Sequence, residues 1–291
     1  MTSPPAEFEA YWAEVDRELE RYPATPEVEP QPLRSTDFAN VYTVRITSLG
    51  PYRIFAYLSV PKGSGPFASV IETPRYGSVN HVPAYELRQR YAVLTVMHRG
   101  QRLADQPFAA AYPGLLTLEI EDAARYVYRG IVADCLRGAE FLLSHPDVDT
   151  QRVGIVGDDL ALITAARRPR LAAVQATNLT FYRMLDACAR TDAYPLEEVN
   201  DVLRAFPAQR DAIARTLALF DPLHHAPDVR ARSMLGAGDP GTVGGPEWLQ
   251  PLVDALAGPV DVYRLTHEGH TDHDHLDRRL AEELGVAAVA T

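Results

Sequence analysis

The sequence predicts an α/β fold in which a mostly parallel central sheet carries helices on both faces. Two observations support this. From residue 67 onward, short apolar runs of strand length alternate with helix-length segments whose apolar residues recur every three or four positions. Before that point, two alternating segments rich in β-branched and aromatic residues flank a Gly-Pro turn. A chain of 291 residues, 46% hydrophobic and without internal repeats, is long enough to bury one large core, and one domain over 1–291 is expected.

In chain order, residues 7–22 set Phe8, Tyr11, Trp12, Val15 and Leu19 on one helical stripe. A Pro-rich connector over 23–32 follows, so 1–35 reads as an N-terminal helix and connector. Segments 40–47 and 53–60, on either side of Leu49-Gly50-Pro51, predict a hairpin. The apolar run 67–71, a loop over 73–81, a helix over 84–90 and an apolar strand over 91–97 begin the parallel sheet. Residues 101–122 have no clean period and read as a loop. Next come a helix over 126–144 ending before Pro146, a short strand over 153–156, a helix over 160–166 and a strand over 171–176. Residues 178–219 are helical and break the strand rhythm, as a cap-like insertion would. The alternation resumes with a strand over 233–237, a helix over 247–257, a strand over 260–265 and a closing helix over 276–284. In such a sheet the functional residues belong in loops at the carboxyl ends of the strands.

The formal charge of −11 argues against nucleic acid as a partner, because neutralising phosphates needs a basic surface. The two cysteines, Cys135 and Cys188, lie far apart in apolar surroundings and do not suggest a disulfide framework. No basic start with an apolar run opens the chain, and no stretch approaches the ~18 apolar residues of a membrane span. A cytoplasmic protein with no membrane association is therefore expected, and no cofactor is expected.

The most informative segment runs from Arg152 to Ala161, where an apolar strand turns through Gly157-Asp158-Asp159 into a helix. A nucleophile elbow has this shape, with small residues two before and two after the nucleophile; Gly157 and Ala161 flank Asp159 in that way. A plain strand-to-helix turn with an Asp N-cap has the same shape. Farther along, Asp239 follows one strand and His270 follows the last one. The order Asp159, Asp239, His270 is the nucleophile, acid, histidine order of α/β-hydrolases. Asp239 would orient the His270 ring, leaving its other nitrogen to activate a nucleophile or a water. The His- and Asp-rich string from His267 to His275 contains zinc-ligand residue types but lacks the His-Glu-x-x-His spacing; it reads as a polar loop before the helix, with no metal.

The run from Tyr126 to Asp134, continuing through Arg137, Glu140 and Asp147 to Gly154, resembles the acetylxylan esterase and cephalosporin C deacetylase family. So do His98-Arg99-Gly100-Gln101, Tyr194 to Glu198, Phe220 to Pro227 and the Phe8–Trp12 helix, so the similarity covers nearly the whole chain. The resemblance implies an α/β-hydrolase fold, removal of acetyl groups from small sugar esters or cephalosporins inside the cell, and a homo-oligomer, a hexamer in that family. By the same match Tyr76 supplies an oxyanion donor, Asp239 and His270 hold two catalytic positions, and Leu160, Arg75, Arg99 and Gln101 surround the site.

The departures lie at the chemistry. Where the family reads Gly-Gly-Ser-Gln-Gly-Gly-Gly, this chain reads Gly157-Asp158-Asp159 and passes directly to Leu160-Ala161-Leu162, four residues short and without the serine. Where the family has His-Gly-Tyr-Gly, this chain has Pro74-Arg75-Tyr76-Gly77. Three readings follow: a degenerate homologue that keeps a small-molecule pocket, a hydrolase with Asp159 as the nucleophile toward halides or epoxides, and a residual esterase in which His270 activates water.

Overall fold

The computed structural model describes residues 3–79 and 81–287, so residue 80 of the predicted 73–81 loop lies outside it. Its strands are β1 (Glu27–Pro30), β2 (Ala39–Thr47), β3 (Arg53–Pro61), β4 (Phe67–Glu72), β5 (Ala92–Val96), β6 (Val148–Gly157), β7 (Ala173–Ala176), β8 (Arg232–Ala237) and β9 (Val260–Arg264). They form one sheet in the order β1-β2-β3-β5-β4-β6-β7-β8-β9. The β1, β2, β3 and β5 pairings are antiparallel and the rest, from β5 through β9, are parallel. The helices are α1 (Phe8–Arg21), α2 (Tyr85–Arg90), α3 (Val127–Leu143), α4 (Asp159–Arg167), α5 (Met184–Cys188), α6 (Leu196–Ala205), α7 (Arg210–Phe220), α8 (Pro222–His225), α9 (Pro246–Ala255) and α10 (Gly269–Glu283).

Burial explains the elements. The predicted hairpin is β2 and β3, in register from Ala39 opposite Pro61 to Thr47 opposite Arg53. Helix α1 buries Phe8, Trp12, Val15 and Leu19, the stripe read from the sequence, and the Trp12 indole N–H donates to the Leu219 carbonyl at 3.1 Å, fastening α1 to α7. Almost every residue of α3 is buried, because it lies beneath the sheet; Gly138 permits this, since a Cβ there would fall 2.8 Å from Val96 Cγ2. On the opposite face Leu280 and Leu284 pack with Val70, Tyr91, Val93 and Ala173 as a smaller second core. None of the described helices is long and apolar enough to cross a membrane.

The structure differs from the sequence reading at four places. The Pro-rich connector contains β1, whose four residues are all exposed, so no apolar alternation marks it. Strand β6 begins at Val148, five residues before the apolar run, because its first half pairs only loosely with β4 across a register shift. Helix α10 begins at Gly269, seven residues before the predicted start, because its first two turns are mostly solvent-exposed and have no apolar period. The 101–122 segment holds two short 3-10 turns, Arg102–Ala104 and Leu115–Thr117. The 178–219 segment is helical as predicted, comprising α5, α6 and α7.

Candidate functional site

At the carboxyl end of β6, Gly157 lies against β4: a Cβ there would sit 1.8 Å from Thr73 Oγ1, so the two strand ends meet only with glycine at this position. Asp158 is the N-cap of α4, with φ −118° and ψ −143°, and its carboxylate accepts the Leu160 N–H at 3.0 Å. Neither Asp158 nor Asp159 is among the non-glycine residues with positive φ, so the turn is a capped helix start rather than a strained elbow. The cap also uses the backbone amide of Leu160, a residue that the sequence match placed around the site.

Asp159 opens α4 and is 1% exposed. Its two oxygens are both engaged: Oδ2 accepts the Thr180 N–H at 2.6 Å and Oδ1 accepts the Tyr182 N–H at 3.0 Å. It therefore fastens the loop after β7 to the start of α4. Burial, and for Asp159 also the adjacent Asp158 charge, push both carboxyls above the usual carboxylate range. The backbone donors on each, and the Arg75 charge beside Asp158, oppose that shift.

The histidine near Asp239 is His267 rather than His270. Asp239, at the end of β8, accepts from the Arg264 guanidinium at 3.3 Å, and its other oxygen lies 3.9 Å from Nε2 of His267. That separation exceeds a hydrogen bond but falls within ion-pair range once the ring is protonated. His267 has φ +63°. Its loop is drawn back onto α10 by the Asp272 carboxylate, which accepts the Thr266 N–H (2.8 Å), Thr266 hydroxyl (2.9 Å), Tyr263 hydroxyl (2.9 Å) and His267 N–H (3.1 Å). His270, expected beside Asp239, instead lies exposed in the first turn of α10, and no bond to Asp239 is seen among the described residues. The acidic residue Asp272 in that turn is a sequence signal for an earlier helix start, which would have moved attention to His267.

Asp239 and His267 line a cavity of about 290 Å³ between the ends of β7, β8 and β9, together with Asn178, Tyr182, Thr242 and Trp248. Neither Asp158 nor Asp159 is in its lining, and no serine or cysteine is found there among the described residues. Its hydroxyls are already donating, Thr242 to the Asp239 carbonyl at 2.7 Å and Tyr182 to the Trp248 carbonyl at 3.0 Å.

The remaining predicted site residues form a framework. The Tyr76 hydroxyl donates to Glu198 Oε1 at 2.6 Å and accepts the Leu116 N–H at 3.3 Å, while Glu198 Oε2 accepts the Gly114 N–H at 2.7 Å. One buried carboxylate of α6 thus ties the helical insertion to two loops. Gln101 donates to the Ser78 carbonyl at 2.8 Å and to the Tyr112 hydroxyl at 2.9 Å. Because His98 Nδ1 faces the Arg99 carbonyl at 2.8 Å it must donate there, so Nε2 accepts from Tyr112 at 2.7 Å. Burial pushes His98 below its ordinary value, in keeping with this neutral ring. Arg99, expected around the substrate, is bound bidentately to the fully buried Asp134 at 2.7 and 3.0 Å. Arg75 is exposed and stands with Glu72, Ser78 and His81 around a separate polar cavity of about 270 Å³.

Comparison with known proteins places this geometry in a family. A family model described as acetyl xylan esterase (AXE1) matches residues 1–249. The acetyl esterase Axe7A of Xylanibacter ruminicola is 25% identical over 245 residues, covering 77% of this chain and 54% of that protein, so the chain spans about half the length of the curated relative it matches. An acetyl xylan esterase from Paenibacillus sp. R4 superposes with a TM-score of 0.85 at 23% identity, over 97% of this chain and 96% of that one. Acetyl xylan esterase 1 from Thermoanaerobacterium sp. JW/SL YS485 does so with a TM-score of 0.78 at 21% identity, over 98% and 95%. These likenesses show the α/β-hydrolase fold. With the family match extending over 249 of 291 residues, the chain belongs to the acetyl xylan esterase family.

Proposed function

We propose that this protein is a family member whose serine esterase chemistry has been lost and whose fold is kept to hold a small polar molecule, an acetylated sugar or a close relative of one. The observation that carries this reading is the state of the β6–α4 turn. Asp158 takes the Leu160 amide, and both oxygens of Asp159 take backbone amides of the next loop. A nucleophile needs a free lone pair aimed at the substrate, and an oxyanion hole needs unoccupied amides. The same bonds speak against Asp159 as a nucleophile toward halides or epoxides, as does the upward shift of its protonation.

One observation favours a second reading. Asp239 and His267 still face each other at a cavity, so an imidazole there could activate water toward an ester. Assaying the protein with p-nitrophenyl acetate, a haloalkanoate and a styrene-type epoxide separates the readings. The expected result is no turnover above buffer with any of the three. Ester hydrolysis that disappears in His267→Ala would establish the water mechanism, and halide or diol release that disappears in Asp159→Ala would establish the carboxylate nucleophile.

The reading extends to a cytoplasmic homo-oligomer, a hexamer by family resemblance. Two buried free thiols, Cys135 and Cys188, suit a reducing compartment. Sedimentation equilibrium is expected to return a mass several times that of one 32.1 kDa chain, and a monomer at micromolar concentration would remove this part of the proposal.

A further inference from the structure

A second, wider cavity of about 690 Å³ adjoins the Asp239–His267 cavity, and the two share Asn178, Leu179, Thr242 and Val243 as walls. It opens between the helical insertion and the loop after β8. Among the described residues Arg190 is the only charged one in its lining, and its neutral polar groups include Thr180, Thr191 and Tyr194. In a chain of formal charge −11 with 39 acidic residues, this outer chamber, lined by one cation and no carboxylate, favours an anion, while the inner chamber holds the Asp239 carboxylate.

Arg190 also lacks the carboxylate that its sequence neighbours would be expected to provide. Asp186 is taken by Arg183 at 2.8 Å, and Asp192 by Asn200 at 2.7 Å and Arg204 at 3.6 Å. Among the described residues no acid pairs with Arg190, whose guanidinium lies 5.2 Å from the centroid of the Trp248 ring. Trp248 lines the inner cavity, so the ring that Arg190 faces belongs to that chamber's lining. Most other arginines lining the described cavities have a carboxylate partner or are engaged by another side chain, as Arg99, Arg125, Arg129 and Arg183 are.

Resting on the reading above of a retained small-molecule pocket, we propose that the joined cleft binds a small polyhydroxylated carboxylate, a sugar acid, with the carboxylate on Arg190 and the hydroxyls in the inner chamber. A guanidinium matches a carboxylate in planar, two-point geometry. The inner chamber supplies what hydroxyls need: the exposed Asp239 carboxylate accepts, and the Asn178 amide and His267 imidazole can each donate or accept. A neutral sugar would satisfy the inner chamber and leave the guanidinium to water. A simple anion such as acetate would do the reverse.

Titration calorimetry with galacturonate, galactose and acetate isolates these terms, because galacturonate differs from galactose only in bearing a carboxylate in place of the terminal hydroxymethyl. Galacturonate is expected to bind about tenfold or more tighter than either control, the range of a charge-assisted bond, and to weaken as salt rises. Arg190→Gln is expected to abolish the preference over galactose while leaving the melting temperature unchanged, since the side chain is exposed. Equal affinity for galacturonate and galactose, a preference that survives Arg190→Gln, or no binding of galacturonate at millimolar concentration would each overturn the proposal. Turnover of p-nitrophenyl acetate would remove the loss of chemistry and leave the acid preference to stand or fall by its own titration.

Discussion

Asp134→Ala is expected to lower the free energy of unfolding by about 3–5 kcal/mol, the cost of leaving one member of a buried ion pair uncompensated. Asp134 is 0% exposed, within α3, and its oxygens accept the Arg99 guanidinium at 2.7 and 3.0 Å and the Arg99 backbone N–H at 3.2 Å. The same guanidinium donates to the Leu49 and Gly130 carbonyls at 3.3 Å and lies 4.8 Å from the centroid of the Tyr52 ring. A Cβ on Gly130 would fall 2.4 Å from its central carbon, so the cation is held close against the helix backbone. Without Asp134 the guanidinium, whose side chain is only 14% exposed, has no anion and little solvent. Urea unfolding monitored by circular dichroism measures the loss, and a change under 1 kcal/mol would show that Arg99 escapes to water. The paired replacement Arg99→Met with Asp134→Leu is expected to recover much of the stability, because it removes both charges together.

Asp159→Ala is expected to be the second large effect, about 2–5 kcal/mol, because it strands the Thr180 and Tyr182 amides in a buried setting. A nucleophile that had been truncated would change turnover and leave stability nearly untouched, so the ratio of the two effects distinguishes a structural acid from a catalytic one. The pH dependence carries a sign. The folded-state pKa of Asp159 is raised above its unfolded value by burial and by Asp158. The folded state therefore binds the proton more tightly, and this stabilisation is complete below the ordinary carboxylate range and lost as pH climbs toward the raised value. The deficit of the Asp159→Ala protein relative to the parent should accordingly be largest in mild acid and shrink as pH rises. Unfolding curves collected from pH 4 to pH 9 test this, and a deficit that grows with pH would reverse the assignment.

Much of the fold was legible because apolar period reports burial. The stripe Phe8, Trp12, Val15 and Leu19 predicted α1, and those four residues are its buried ones. Strand β5 was readable for the same reason, with all five residues buried. Exposed elements escaped. Strand β1 and the first two turns of α10 face solvent along much of their length, so nothing in their residue pattern had to repeat. The second omission carried over to the site: with α10 started at residue 276, His270 read as a loop histidine, whereas the structure puts it on the helix and sets His267 beside Asp239. The resemblance gave Tyr76 as an oxyanion donor and Gln101 as a residue around the site; in the structure their side chains bond to neighbouring loops, Gln101 to Ser78 and Tyr112, and Tyr76 to Glu198.

The residue types at each position are covalent facts, and from them alone came the acidic surface, the alternation of strand and helix, the family resemblance, and an aspartate where that family has serine. Which atoms meet is a different kind of fact. That Thr180 and Tyr182 occupy both oxygens of Asp159, that Glu198 reaches Tyr76 across 122 positions, and that Asp239 faces one imidazole and not another depend on where distant segments cross. Local patterning records only whether a side chain is turned toward the core. The choice of partner is made when the strand ends converge, by hydrogen bonds whose geometry tolerates errors of a few tenths of an ångström, and this could be seen only in the folded chain.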